Sequence, residues 1–158
     1  MVDKADGKEY LTKEKYDELK KELDYLKTVR RKEIAESLEY ARSLGDLSEN
    51  AEYQEAREMQ AATEERIGNL EGILQSAKIV SHRPSDTATL GSTVVIQKEG
   101  EKDTHRYQIV GLEEADILER KISHLSPLGE AMMGKKKGDT FSFMTPNGKM
   151  NYKIVSVE

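Results

Sequence analysis

From Lys13 to Leu44 the apolar positions Tyr16, Leu19, Leu23, Leu26, Ile34, Leu38 and Ala41 recur mostly three or four residues apart on a polar background. That period lays a single apolar stripe along a helix, and Thr12 stands just before it as an N-cap. A second stripe runs through Tyr53, Ala56, Met59, Ile67, Leu70, Ile73 (or Leu74) and Ala77. The pattern predicts helices over about 13–44 and 48–78, with a tip at 44–49. In that tip, Leu44-Gly45-Asp46-Leu47-Ser48, the glycine can close one helix and Asp or Ser can cap the next. So short a link forces the two helices antiparallel. At 1.5 Å per residue an arm of about 30 residues would be roughly 45 Å long. A two-helix arm of that length has little room for a globular core and should project.

The pattern changes near residue 81. His82-Arg83-Pro84-Ser85-Asp86-Thr87 reads as a linker, since Pro84 disfavours helix continuation. Short β-rich runs follow at Ser92–Gln97, Arg106–Val110, Thr140–Met144 and Met150–Val157. The last two flank Thr145-Pro146-Asn147-Gly148, a turn signature, and should form a hairpin. Ser126-Pro127 reads as an N-cap with proline at the first helical position, opening a short helix that stops at Gly134. The expected class is α+β: an antiparallel two-helix arm over 1–81, then a small antiparallel sheet with one short helix over 82–158.

Composition narrows the chemistry. The chain of 158 residues is 36% hydrophobic and 35% charged, so one large core is not expected. It has no cysteine, which removes disulfides, zinc-thiolate sites and thiol catalysis. His82, His105 and His124 lie too far apart to predict a histidine-built metal site. No apolar run reaches membrane-spanning length, and the start of the chain is polar, without the apolar stretch of a secretory signal; the expected compartment is the cytoplasm. Gly129-x-x-x-x-Gly134-Lys135-Lys136 misses a phosphate-binding P-loop, because it lacks the Ser or Thr and precedes a strand. Lys135-Lys136-Lys137 reads as a solvated turn. With no Trp and only two Phe, there is little to line a prolyl-isomerase pocket.

Charge is unevenly spread. Residues 33–65 hold ten carboxylates and two arginines, a local net of −8 on a chain of net charge −5. Within that zone Asp46 and Glu49 stand three apart at the tip. Two readings stay open. Asp-x-x-Glu before a helix is a capping-box variant, with Asp46 capping and Glu49 reaching back. Exposed paired carboxylates also suit a hard cation such as Mg²⁺, although two ligands are too few and the rest must come from a partner or from substrate phosphates. Arg42 and Arg57 flank the tip. Arg42 has Glu39 at i−3 for an ion pair, whereas the neighbouring face positions of Arg57 carry no acid. An arginine left unpaired in an acidic zone suits RNA phosphate. Lys27, Arg30, Arg31 and Lys32 form a basic cluster, for which a solvated face is the default reading. A pI near 5.4 argues against independent, high-affinity nucleic-acid binding.

Gly45-Asp46-Leu47-Ser48-Glu49-Asn50-Ala51-Glu52-Tyr53 resembles the tip signature of the bacterial Gre transcript-cleavage factors. Val29-Arg30-Arg31-Lys32-Glu33-Ile34 is similar to the same family's first helix, and Ser126-Pro127-Leu128-Gly129-Glu130-Ala131-Met132-Met133-Gly134-Lys135, with Gly138-Asp139, to its C-terminal signature. The resemblance implies a coiled-coil arm on an FKBP-like globular domain. It implies RNA polymerase as partner, with Ser126, Pro127, Gly129, Gly134 and Lys135 in the docking part. The arm would enter the polymerase's secondary channel, and Asp46 and Glu49 would help its active site bind a second Mg²⁺. The outcome is hydrolysis of backtracked RNA near its 3′ end, a trans activation of the polymerase's own endonuclease rather than an enzyme in itself. Arg42 and Arg57 look like family arginines near the RNA 3′ end, and Arg30 and Arg31, within the basic cluster, are candidates for contact with RNA or the channel wall. Neither a membrane nor a small-molecule substrate is implied. The alternative is a non-catalytic channel occupant that inhibits polymerase, which would need no acid pair at the tip. A coiled-coil adaptor unrelated to polymerase leaves the second signature unexplained.

Overall fold

The computed structural model describes residues 8–81 and 85–158, so His82, Arg83 and Pro84 of the expected linker lie outside the described residues, as does the polar start of the chain. The chain forms two compact units, Tyr16–Ser76 and the remainder, which joins the residues up to Lys15 to Ala77–Glu158.

The first unit is a helical hairpin. Its first limb is α1 (Lys13–Tyr25), a π-helical turn (Leu26–Arg30) and α2 (Arg31–Ser43); its second is α3 (Ala51–Ser76). The inward positions Leu23, Leu26, Arg30, Ile34 and Leu38 include three successive steps of four residues. In a regular α-helix each such step overshoots a full turn by roughly 40°. The π turn, closed by the Arg31 N–H donating to the Leu26 carbonyl, takes in an extra residue and returns the stripe to the seam. Ile34, Leu38 and Ala56 pack there with Tyr53 and Met59. Ion pairs lace the exposed edge: Arg66 with Glu22 at 2.7 and 2.8 Å, Arg31 with Glu64 at 2.8 and 2.6 Å, and Lys27 with Glu71.

In the second unit, β1 (Tyr10–Leu11) pairs in parallel with β2 (Lys78–Ile79). Five further strands, β3 (Thr93–Lys98), β4 (Thr104–Val110), β5 (Lys121–Ser123), β6 (Thr140–Thr145) and β7 (Gly148–Val157), form a sheet in the order β5-β4-β3-β7-β6. The β6–β7 hairpin turns where the sequence predicts it. The sheet is mixed rather than wholly antiparallel, because β4 and β5 run parallel. Alternation along the strands sends Val94, Ile96, Ile109, Phe141 and Ile154 into one core with Ile122, Met132 and Ala88. Thr12 caps α1 as expected, accepting from the Lys15 N–H at 3.2 Å.

The short helix α4 (Pro127–Met132) begins at the predicted cap: the Ser126 hydroxyl accepts from the Gly129 N–H at 3.1 Å and donates to the Ser123 carbonyl at 2.7 Å. Ser126→Ala should therefore cost about 1 kcal/mol, read as a lower urea midpoint with an unchanged slope.

Candidate functional site at the hairpin tip

The tip is built by two helix ends and a loop. α2 stops because Leu44 caps it and Gly45 follows at φ +122°, a conformation that favours glycine. The second helix starts at Ala51, not near residue 48, and its cap is Asn50. Asn50 Oδ1 accepts from the Tyr53 N–H at 3.0 Å, while its Nδ2 donates to the Ala41 carbonyl at 2.6 Å. This corrects the capping-box reading: neither Asp46 nor Glu49 caps a helix. Asp46 folds its own loop instead, its Oδ1 accepting from the Ser48 N–H at 3.0 Å and from the Ser48 hydroxyl at 2.9 Å. Those two bonds, the backbone one foremost, hold its carboxyl below the ordinary range, so the tip stays anionic. Glu49 is exposed and has no hydrogen-bond or ion-pair partner among the described residues.

Both acids thus lie in a seven-residue loop, Leu44–Asn50, between helix ends. As donors they fit a hard, oxygen-preferring cation. They form an incomplete set, since among the described residues no group of three or more His, Asp or Glu converges.

The arginines divide. Arg42 makes no pair with Glu39; its guanidinium stands 6.0 Å from the centre of the Tyr53 ring. Arg57 donates to Gln60 Oε1 at 2.8 Å and has no acid partner among the described residues, as the sequence indicates. The mid-helix basic cluster is engaged with acids throughout. Arg30 meets Glu33 at 3.0 Å and the Met59 sulfur at 3.4 Å, Lys32 reaches Glu36 at 3.9 Å, and Arg31 and Lys27 bond across to α3.

The C-terminal signature divides in the same way. Gly129 and Gly134 serve the fold. An added Cβ at Gly129 would lie 2.1 Å from the Ser123 carbonyl oxygen, and Gly134 sits at φ +75° with its N–H on the Ala88 carbonyl. The Lys135 carbonyl accepts from the Ala88 N–H at 2.7 Å. Pro127 is exposed. It borders an apolar depression of about 480 Å³ shared with Ile117, Leu128, Phe143, Met144 and Pro146. Ile117, Leu118, Leu125 and Met144 stand exposed nearby, an apolar surface of the kind that marks a protein contact. Sequence reasoning missed this patch because its residues come from three loops, the start of α4 and the edge strand β6. It also missed Asn50, although Asn is a strong N-cap residue.

Fold and tip together define a two-unit α+β protein: a helical hairpin with an acid-bearing loop, joined in one chain to a small mixed sheet with an exposed apolar surface. The family model described as "Transcription elongation factor, N-terminal" matches residues 9–79, and "Transcription elongation factor, GreA/GreB, C-term" matches 83–158. Curated relatives named transcription elongation factor GreA include that of Thermoanaerobacter pseudethanolicus, 44% identical over 149 residues covering 93% of this chain and 95% of the relative. That of Bacillus licheniformis is 45% identical over 141 residues (88% and 89%), and that of Geobacillus kaustophilus 43% over 159 residues (98% and 99%). The chain belongs to the GreA/GreB family of transcription elongation factors. Among the described residues no helix is long and apolar enough to cross a membrane.

Proposed function

We propose that this chain is a transcript-cleavage factor: it binds RNA polymerase, sends the hairpin into the secondary channel, and lends Asp46 and Glu49 to the polymerase's active site. One observation supports this above the rest. The two tip acids are exposed, neither caps a helix, and neither has an ion-pair partner among the described residues. The Ser48 bonds of Asp46 occupy only its Oδ1, and Glu49 has no structural partner among the described residues.

When bound, a second Mg²⁺ supplies a nucleophilic water and charge neutralisation at the scissile phosphate of backtracked RNA. The residues that would help hold it are Asp46, through the oxygen not bonded to Ser48, and Glu49. The polymerase's carboxylates must complete the set. Arg42 and Arg57, near the tip, carry no acid partner among the described residues, and both are assigned to the RNA 3′ end. Arg30 and Arg31 would have to exchange Glu33 and Glu64 for phosphate to do the same. Docking is assigned to the apolar surface around Pro127, with Ser126, Gly129, Gly134 and Lys135 shaping the loops beneath it.

The test is direct. Added to a stalled, backtracked elongation complex, the protein should release short 3′ fragments and restore extension, while polymerase-free RNA stays intact. Slowed extension without fragments would instead identify an inhibitory channel occupant.

A further inference from the structure

We infer that Asn50 is a positioning residue for the tip acids, acting as a brace between the two helix ends rather than as a cap alone. The inference rests on the reading of Asp46 and Glu49 just given. The side-chain amide of Asn50 is used at both ends. Its oxygen satisfies the Tyr53 N–H, one of the free donors at the start of α3. Its nitrogen donates to the Ala41 carbonyl in the last turn of α2, an oxygen that also accepts the Leu44 N–H at 3.2 Å. Asn50 and Ala41 are nine residues apart, so this single bond closes the loop that carries both acids.

Little else in the loop makes that closure. The Asp46–Ser48 bonds are local, within two residues, and shape the turn without tying it to either helix. The Gln54 Nε2 reaches the Leu47 carbonyl only at 3.5 Å, at the edge of hydrogen bonding. Leu44 and Leu47 are exposed, so the loop gains little from packing. Gly45, with open space around its Cα, adds backbone freedom. Without the Asn50 brace the acids would sit on a loop anchored only by its ends, and ligands offered to a partner's metal lose effect when misplaced by about 1 Å. The half-buried amide, paired on both sides, is what fixes the loop in place.

The requirement is for a donor and an acceptor on one short side chain, which separates bracing from capping. Asp and Ser cap a helix about as well as Asn. Neither reproduces the brace: a carboxylate at position 50 faces the Ala41 carbonyl with no proton to give, and a hydroxyl is too short to span both partners. Asn50→Asp and Asn50→Ser should therefore keep the melting temperature and polymerase affinity near those of the unaltered chain. Both should lose about tenfold or more of stimulated cleavage, the scale for removing an outer-sphere support of a metal ligand. Because one adds a charge and the other does not, a shared loss excludes a charge effect. The second readout needs no polymerase. In the free full-length protein, amide relaxation and hydrogen exchange should show residues 45–49 loosened in both variants, with the Tyr53 amide still protected. Normal cleavage in both variants would overturn the inference, as would lost cleavage with loop amides unchanged. Asp46→Asn is assayed alongside. If it cleaves normally, the acid reading fails; if it is inactive while the Asn50 variants are normal, only the brace fails.

Discussion

Asp46→Asn should lower stimulated cleavage of backtracked RNA by about 100-fold or more, the upper end of what losing even an outer-sphere partner of a metal costs, with polymerase binding and melting temperature preserved. The loop geometry explains why charge and shape separate so well at this position. Asp46 Oδ1 accepts both Ser48 bonds, and an amide oxygen accepts the same two donors, so the turn survives. What disappears is the negative charge, which those bonds favour by lowering the carboxyl's pKa from its ordinary value. A neutral amide is a poorer ligand for Mg²⁺. Since Asn50, not Asp46, caps α3, even Asp46→Ala should cost no more than about 1 kcal/mol. Glu49→Gln should match Asp46→Asn in activity and leave stability untouched, because Glu49 has no partner to lose among the described residues. Raised Mg²⁺ should restore part of the rate in both, since weakened affinity yields to mass action. Cleavage rate, affinity for the backtracked complex and melting temperature, measured on each variant, decide the matter. Normal cleavage by Asp46→Asn would sink the proposed role.

The sequence carries the hairpin in its stripes and the β6–β7 turn in its Pro-Asn-Gly, because both signals are local and repeated. It also carries the Ser126 cap, a short-range motif with one geometric solution. Where it misleads, the competing signal is local too. Asp46 and Glu49 have the spacing of a capping box, yet Asn50 lies nearer the periodic run and satisfies both helix ends, so it wins the cap and the acids are left in the loop. The π turn follows from the four-residue steps of the stripe, but reading it requires treating Arg30 as an inward position. The strands β1, β2 and β5 span only two or three residues, too few for alternation to register. The parallel β4–β5 pairing depends on how the chain from Gly111 to Arg120 folds back, which no short-range pattern encodes. The apolar patch around Pro127 is invisible for the same reason: exposure is decided by tertiary contact.

Gly129→Ala should destabilise the second unit by about 3 kcal/mol and abolish polymerase binding near physiological temperature. The cause lies in how α4 meets β5. An added Cβ would stand 2.1 Å from the Ser123 carbonyl oxygen and 3.0 Å from the Cα of His124, all backbone atoms with no flexible end to swing aside. Relief requires moving α4 off β5, which breaks the Ser126 bridge between them and opens the packing around Met132, a fully buried core residue. Gly134→Ala has open space and is strained only by its φ of +75°, so it should cost less, about 1–2 kcal/mol. Pro127→Ala makes the useful contrast: the residue is exposed at the first turn of α4, so its loss should weaken polymerase binding with stability nearly intact. Urea unfolding and polymerase affinity, measured at several temperatures, separate the three. For Gly129→Ala, binding should return as cooling refolds the unit. A Gly129→Ala protein of ordinary stability that still failed to bind would make Gly129 a contact residue, and the packing account of this signature would be wrong.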